Sequence, residues 1–153
     1  MSTEVMSRTR QDPTLQAQTF DLKAQLLSKG RTRQVVAKTD TINLAVKVYG
    51  EGGENTLHAH ADEDHIFVIA DGEATFYDRD GKTTVRQRGQ GILIPAGYFY
   101  RFHASGGKPL VMLRIGTGAK DAAEGRLWVE GISEKQPAHS MAPVPIAGSF
   151  WSL

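Results

Sequence analysis

The chain has 153 residues, of which 40% are apolar and 23% charged, enough for one compact domain that needs neither disulfides nor metals to hold its core together. It contains no cysteine, which excludes disulfide frameworks, thiol nucleophiles and thiolate metal sites and leaves nitrogen and oxygen as the only ligands for a transition metal. Its 18 basic and 17 acidic residues are scattered and leave a formal charge of +1. There is no basic stripe for nucleic acid, no apolar run of membrane-spanning length and no signal-peptide core, so neither nucleic acid nor membrane is expected as partner and a cytoplasmic location is expected.

Residues 1–14 are polar and cannot bury enough apolar surface to offset ordering, so they are expected to form a flexible arm. In the stretch Phe20 to Gly30, Asp21 is suited to cap a helix, Leu22, Leu26 and Leu27 provide apolar side chains, and Gly30 provides a stop. That pattern predicts a short helix. After Gly30 come short runs rich in Val, Ile, Thr, Tyr and Phe, separated by Gly, Asp and Pro at roughly ten-residue intervals. The runs are RQVVAKT, INLAVKVYG, NTLHAH, HIFVIA, EATFYD, TTVRQR, GILIP, YFYRFHA and PLVMLRI. No helical period interrupts them, so the fold class is all-β, a sandwich or a closed barrel.

Asp78, Arg79, Asp80 and Gly81 supply a tight turn that makes EATFYD and TTVRQR a hairpin. RLWVEGI, from Arg126, reads as one more edge strand. The barrel domain is expected over residues 15–135, and residues 136–153, with Pro137, Pro143 and Pro145, as an irregular tail. Ile146, Phe150, Trp151 and Leu153 are too apolar to stay in water, so this tail should pack on the barrel or on a second subunit.

Of five histidines, three lie between His58 and His65. Positions i and i+2 of a strand share a face, so His58 and His60 can present two imidazoles to one point. Ala61, Asp62, Glu63 and Asp64 can turn the chain so that His65 faces the same interior. Three neutral imidazoles could then hold a divalent metal at about 2.0–2.1 Å. The alternative is a polar loop of histidines flanked by acids that merely solvate it. Glu63 and Asp64 are expected to orient an imidazole N–H or a turn amide rather than touch a metal. His103 lies on the outward side of its strand, and His139, in the proline-rich tail, is assigned no role.

GGENTLHAHADEDHIFVIADG, from Gly52 to Gly72, resembles the first motif of the cupin superfamily, G(X)5HXH(X)3,4E(X)6G. GQGILIPAGYFY, from Gly89 to Tyr100, resembles the second, G(X)5PXG(X)2H(X)3N, with Gly89, Pro95 and Gly97 in place. The resemblance covers residues 40 to 116 and implies a single double-stranded β-helix, the jelly-roll barrel of cupins. It also implies a metal inside near one mouth and a homodimer as the common assembly. Three positions depart from the motifs: His65 stands where the family carries glutamate, Tyr100 where it carries histidine, and Ala104 where it carries asparagine. The first change removes an anionic ligand and should leave the site more receptive to an anionic or chelating molecule. Tyr100 could ligate as phenolate, donate a hydrogen bond to a bound ligand, or wall the pocket. Its ordinary pKa near 10 ranks hydrogen bonding above ligation, and Tyr100 is the candidate acid or base.

If Tyr100 faces inward, Tyr98 and Phe102 share its side, and Phe67 and Ile69 share that of His65. Such alternating aromatics fill most small barrels whatever the ligand. Alternation places Arg101 outward and leaves Arg114 undecided. Cupins span many reactions and some only bind ligands, so the resemblance alone does not choose one. The leading expectation is an enzyme with one divalent transition metal per chain (iron, manganese, nickel or zinc) acting on a small anionic or chelating molecule. It would be dioxygenase-like, as three neutral histidines with an open face are in cupin thiol and diketone dioxygenases, or a lyase, isomerase or cyclase. The competing expectations are a non-catalytic binding or sensing barrel, and an accessory protein whose apolar tail docks on a partner.

Overall fold

The structure, a computed structural model, describes residues 12–51, 53, 56–118, 126–128 and 142–153. The arm before residue 12, the tail around His139 and the segment between residues 118 and 126 lie outside the described residues, as does Gly52 of the first motif. Among the described residues there are twelve strands and no helix. They are β1 (Lys23–Lys29), β2 (Arg31–Lys38), β3 (Ile42–Tyr49), β4 (His58–His60), β5 (His65–Asp71) and β6 (Glu73–Asp78). The second half comprises β7 (Thr83–Gln87), β8 (Gly91–Ile94), β9 (Tyr100–Ala104), β10 (Leu110–Thr117), β11 (Arg126–Trp128) and β12 (Val144–Ser152). Every run read as a strand from its composition contains one among the described residues, and the fold class is the expected all-β double-stranded β-helix.

Two five-stranded sheets, ordered β2-β3-β10-β5-β8 and β11-β4-β9-β6-β7, enclose the core, and β1 pairs with β12 in a separate two-stranded ribbon. All these pairings are antiparallel. The β6–β7 hairpin runs in register from Glu73↔Gln87 to Tyr77↔Thr83. Its turn is closed by the Asp78 carboxylate, which accepts from the N–H groups of Asp80 and Lys82 at 2.9 and 2.8 Å.

Period-2 alternation sorts the side chains. The interior holds Tyr49, Phe67, Ile69, Phe76, Tyr100, Phe102, Leu110 and Met112, each at most 2% exposed. Residues of the opposite parity on β3 and β10, Val46, Val48, Val111 and Leu113, form a second cluster with Leu27 and Trp151 of the ribbon. The ribbon therefore covers part of the outer face of the first sheet.

Two expectations are corrected here. The segment read as a helix is β1, because the C-terminal strand supplies its hydrogen bonds from far along the chain, with Ala24 opposite Trp151 and Gln25 opposite Phe150. Gln25 reinforces this pairing by donating from Nε2 to the carbonyls of Ile146 and Ser149 at 2.8 Å each. Packing of Leu27 thus overrides helix propensity. Gly30 ends no helix but turns the chain into β2 at φ +75°, where a Cβ would stand 2.0 Å from the Ala142 carbonyl oxygen. The second correction concerns residues 144–152, which are not irregular. Pro145 is accommodated because β12 is bonded on one side only. Trp151 is buried in the second cluster, whereas Phe150 and Leu153 are exposed.

Leu27→Ala is expected to cost about 2–4 kcal/mol, read as a lower urea midpoint with an unchanged slope. A helix with Leu27 half exposed would predict a loss of under ~1 kcal/mol.

Candidate metal centre

β4 is only three residues long, and all three are buried. His58 and His60 nevertheless enter the interior, because β4 is held between β11, where Arg126 pairs with His60, and β9, where His58 pairs with Tyr100. The carbonyl of His60 accepts the Gly97 N–H at 2.7 Å, tying the strand to the loop before β9. Nδ1 of His58 lies 2.6 Å from the Thr56 carbonyl oxygen. Nδ1 therefore carries the proton and Nε2 keeps its lone pair, the arrangement a metal-binding imidazole needs.

Asp64 positions the turn to β5. Its carboxylate accepts the Ala96 N–H at 2.8 Å, its own N–H donates to Thr117 Oγ1 at 3.0 Å, and its carbonyl accepts the Thr117 N–H at 3.1 Å. Orienting turn amides was the role expected of Asp64. Beyond it, His65 begins β5 opposite Gly116 of β10 and Ile94 of β8. A Cβ at Gly116 would lie 3.2 Å from His65 Cδ2, so the glycine makes room for the ring.

The three histidines are 1–5% exposed. Ring centroids of His58 and His60 lie 4.9 Å apart, and those of His60 and His65 4.3 Å. The donor atoms that come within 4.8 Å of one another belong to His60, Glu63 and His65; His58 stands beside this trio, its ring against His60 and 4.7 Å from that of Tyr100. Such spacing needs only small side-chain rotations to surround one ion, whose ligands at about 2.1 Å stand roughly 3–4 Å from each other. Imidazole and carboxylate together suit a divalent first-row metal.

Glu63 takes the role expected of it, accepting an imidazole N–H, and is in addition one of three donors close enough to one another to hold a metal. It is 6% exposed, and its Oε2 lies 3.0 Å from His65 Nε2. The family pattern puts a glutamate at the position of His65; here a carboxylate arrives from two residues earlier. The site thus has the negative charge that substitution at position 65 removes. The signal lay in the acid run Asp62, Glu63, Asp64, where nothing in the spacing distinguishes the one that turns inward.

His65 is held neutral, pushed down to about 2 from 6.5, first by burial and then by His60, Arg114, Lys47 and His58 around it. As the neutral ring it donates Nε2–H to Glu63, and its Nδ1 is left buried without a hydrogen-bond partner. Tyr100 is 2% exposed, with its hydroxyl 3.5 Å from His60 Nε2. Arg114, which alternation left undecided, points inward at 4% exposure, its Nη2 donating to Asn43 Oδ1 at 3.0 Å. Arg101 and His103 face outward as expected: the Arg101 guanidinium lies 3.8 Å over the Tyr77 ring, and His103 stacks on the same ring at 5.5 Å. Tyr98, expected to share the inward side of Tyr100, is 44% exposed, because it precedes β9 and lies in the loop.

Residues 45–116 match the family described as cupin domain. The chain carries a cupin domain. Similar solved structures include KdgF from a Halomonas species (18% identity, TM-score 0.56, 61% of this chain and 84% of that one). Another is a conserved double-stranded β-helix protein from Klebsiella pneumoniae (21%, TM-score 0.55, 60% and 75%). A third is the cupin domain of Cnp3 from Schizosaccharomyces pombe (15%, TM-score 0.54, 64% and 70%). At these identities the likeness is one of fold. No match was found among the curated proteins.

Two outcomes test this cupin site. In the unfolded chain His65 takes a proton below its ordinary 6.5, while in the folded one it resists protonation down to about 2. The unfolded state therefore binds more protons in that window, and stability falls with pH, by about 2 kcal/mol at pH 5. The melting temperature of metal-free protein should drop between pH 7 and 5, and less so in His65→Phe. Gly116→Val should press on the His65 ring and weaken metal uptake about tenfold or more in a competitive chelator titration, with the fold retained by circular dichroism.

Proposed function

We propose that this cupin is a metal-dependent enzyme acting on a small anionic or chelating organic molecule. The observation that carries the reading is the buried trio His60, Glu63 and His65, whose donor atoms lie within 4.8 Å of one another. Desolvating two imidazoles and a carboxylate together is costly unless they coordinate something. His58, His60 and His65 would hold one iron, manganese, nickel or zinc ion, with Glu63 as a further ligand or as the acceptor that orients His65. Once bound, the metal supplies either Lewis acidity for a lyase, isomerase or cyclase, or a redox centre for a dioxygenase-like reaction. Tyr100 is the residue assigned to proton movement at the substrate, because its hydroxyl faces His60 Nε2 from the neighbouring strand. The aromatic wall of Phe67, Phe76 and Phe102 behind it keeps water out.

A second copy of the chain is the partner this reading carries. Leu44, Ile115, Ile66 and Leu93 form a cross-strand row on the outer face of the first sheet, and Ile66 and Leu93 are 36% and 58% exposed. Leu93→Glu is expected to shift sedimentation from dimer to monomer.

Metal analysis of protein purified without chelators tests the centre. Near-stoichiometric metal is expected in the wild type and little in His60→Ala or His65→Ala, with about a 10–100-fold weaker affinity in Glu63→Gln. Tyr100→Phe should keep its metal yet lose about 10²–10⁴-fold in turnover. Metal without turnover on any carbonyl or carboxylate would favour a binding barrel. A wild type that takes up no metal on reconstitution would overturn the proposal.

A further inference from the structure

The wall beside the histidines carries positive charge that a metal site does not require. Arg114 is fully inside: among the described residues it is the one buried guanidinium, and its Nε–H, shielded from solvent, has no hydrogen-bond acceptor. Burial and the nearby Arg33 make its charge harder to keep, whereas Tyr100, Tyr49 and Glu63 favour it. Strand register locates it relative to the metal centre. Gly116 lies opposite His65, and two residues back along β10 Arg114 lies between Phe67 of β5 and Ala45 of β3. Two residues further, Met112 stands opposite Lys47.

Arg114 and Lys47 are therefore diagonal neighbours on one inner wall. The Lys47 ammonium lies over the rings of Tyr49, Phe67 and Phe102 at 5.3, 5.9 and 6.0 Å, which places it inside the barrel and above its aromatic floor. Both cations act electrostatically on His65. Against them Glu63 is the single buried carboxylate among the described residues. The buried Arg114 Nε–H still lacks an acceptor, and an anionic occupant beside the histidines would supply one.

We propose that Arg114 and Lys47 are the anion-recognition residues of the barrel interior, taking the carboxylate of a small substrate whose second oxygen, a few bonds away, faces His60, Glu63 and His65. This rests on the metal-centre reading above and narrows its substrate class to 2-oxo or 2-hydroxy carboxylates. A planar guanidinium beside an ammonium suits a carboxylate, and neither would discriminate in favour of a neutral amide of the same size. The short diagonal between Arg114 and His65 limits the ligand to a few carbons.

The test compares lactate with lactamide and pyruvate with pyruvamide, pairs alike in size and different in charge. Binding is read by melting-temperature shift and by intrinsic fluorescence, on metal-loaded and metal-free protein. The acids are expected to bind at least about tenfold more tightly than the amides, and Lys47→Met and Arg114→Gln to abolish that preference, with Arg114→Lys retaining part of it. Equal binding of acid and amide, no binding of either acid, or an unchanged preference in Lys47→Met would each overturn the inference. Should Arg114→Gln fail to fold, Lys47→Met and Arg114→Lys decide. A preference for acids that persists in a protein holding no metal would leave this inference standing while the metal reading fell. Stoichiometric metal with no preference would do the reverse.

Discussion

Three imidazoles, a carboxylate and a guanidinium share the dry interior of this barrel, and the cost of taking them out of water is the constraint on which the rest of the site depends. Each meets a backbone or side-chain partner: His58 meets Thr56, His65 and Glu63 meet each other, Arg114 meets Asn43, and His60 meets the Tyr100 hydroxyl at 3.5 Å. These contacts are worth little individually, yet leaving any one of these groups unsatisfied would cost about 1–3 kcal/mol. For His58 and His65 they also fix which nitrogen carries a proton, and so which remains able to bind a metal.

The turn between β4 and β5 is the mechanical centre of this arrangement. Asp64 joins it to the loop before β9 through Ala96 and to the end of β10 through Thr117. These three elements bring His60, Tyr100 and Gly116 around His65. A polar residue outside the cluster thereby sets the separation of the groups within it, because a one-residue slip at this turn would point His65 outward. The glycine at position 116 completes the fit by leaving room for the ring.

Charge distinguishes this interior from a simple packing core. The aromatic floor of Phe67, Phe76 and Phe102 would fill a small barrel in any case. Arg114, with the half-buried Lys47 beside it, is different, since burying a guanidinium in such a core costs stability unless something is gained elsewhere. Substitution of histidine for glutamate at position 65, with a carboxylate returned from Glu63, rearranges the negative charge around the cluster without abolishing it.

The strands, the β6–β7 hairpin and the inward alternation of Tyr100 and Phe102 were legible in the sequence, because period-2 patterning and turn chemistry are local properties. So was the clustering of His58, His60 and His65, since two residues on one face and a third after a short turn must approach one another. Two features near the chain ends were not legible. Asp21, the spaced leucines and Gly30 satisfy the local rules for a helix, and three prolines those for an irregular tail, but each segment finds its hydrogen-bond partner in the other. That pairing joins residues more than a hundred positions apart, and no local pattern reports it. For the same reason the sequence could not tell which acid of Asp62, Glu63 and Asp64 turns inward, or that Arg114 and Lys47 share a wall. The sequence by itself determined the element type, the face each strand buries and the residues available for a metal. Only the tertiary structure decided which of those residues meet, because register between distant strands is set by packing the whole interior at once.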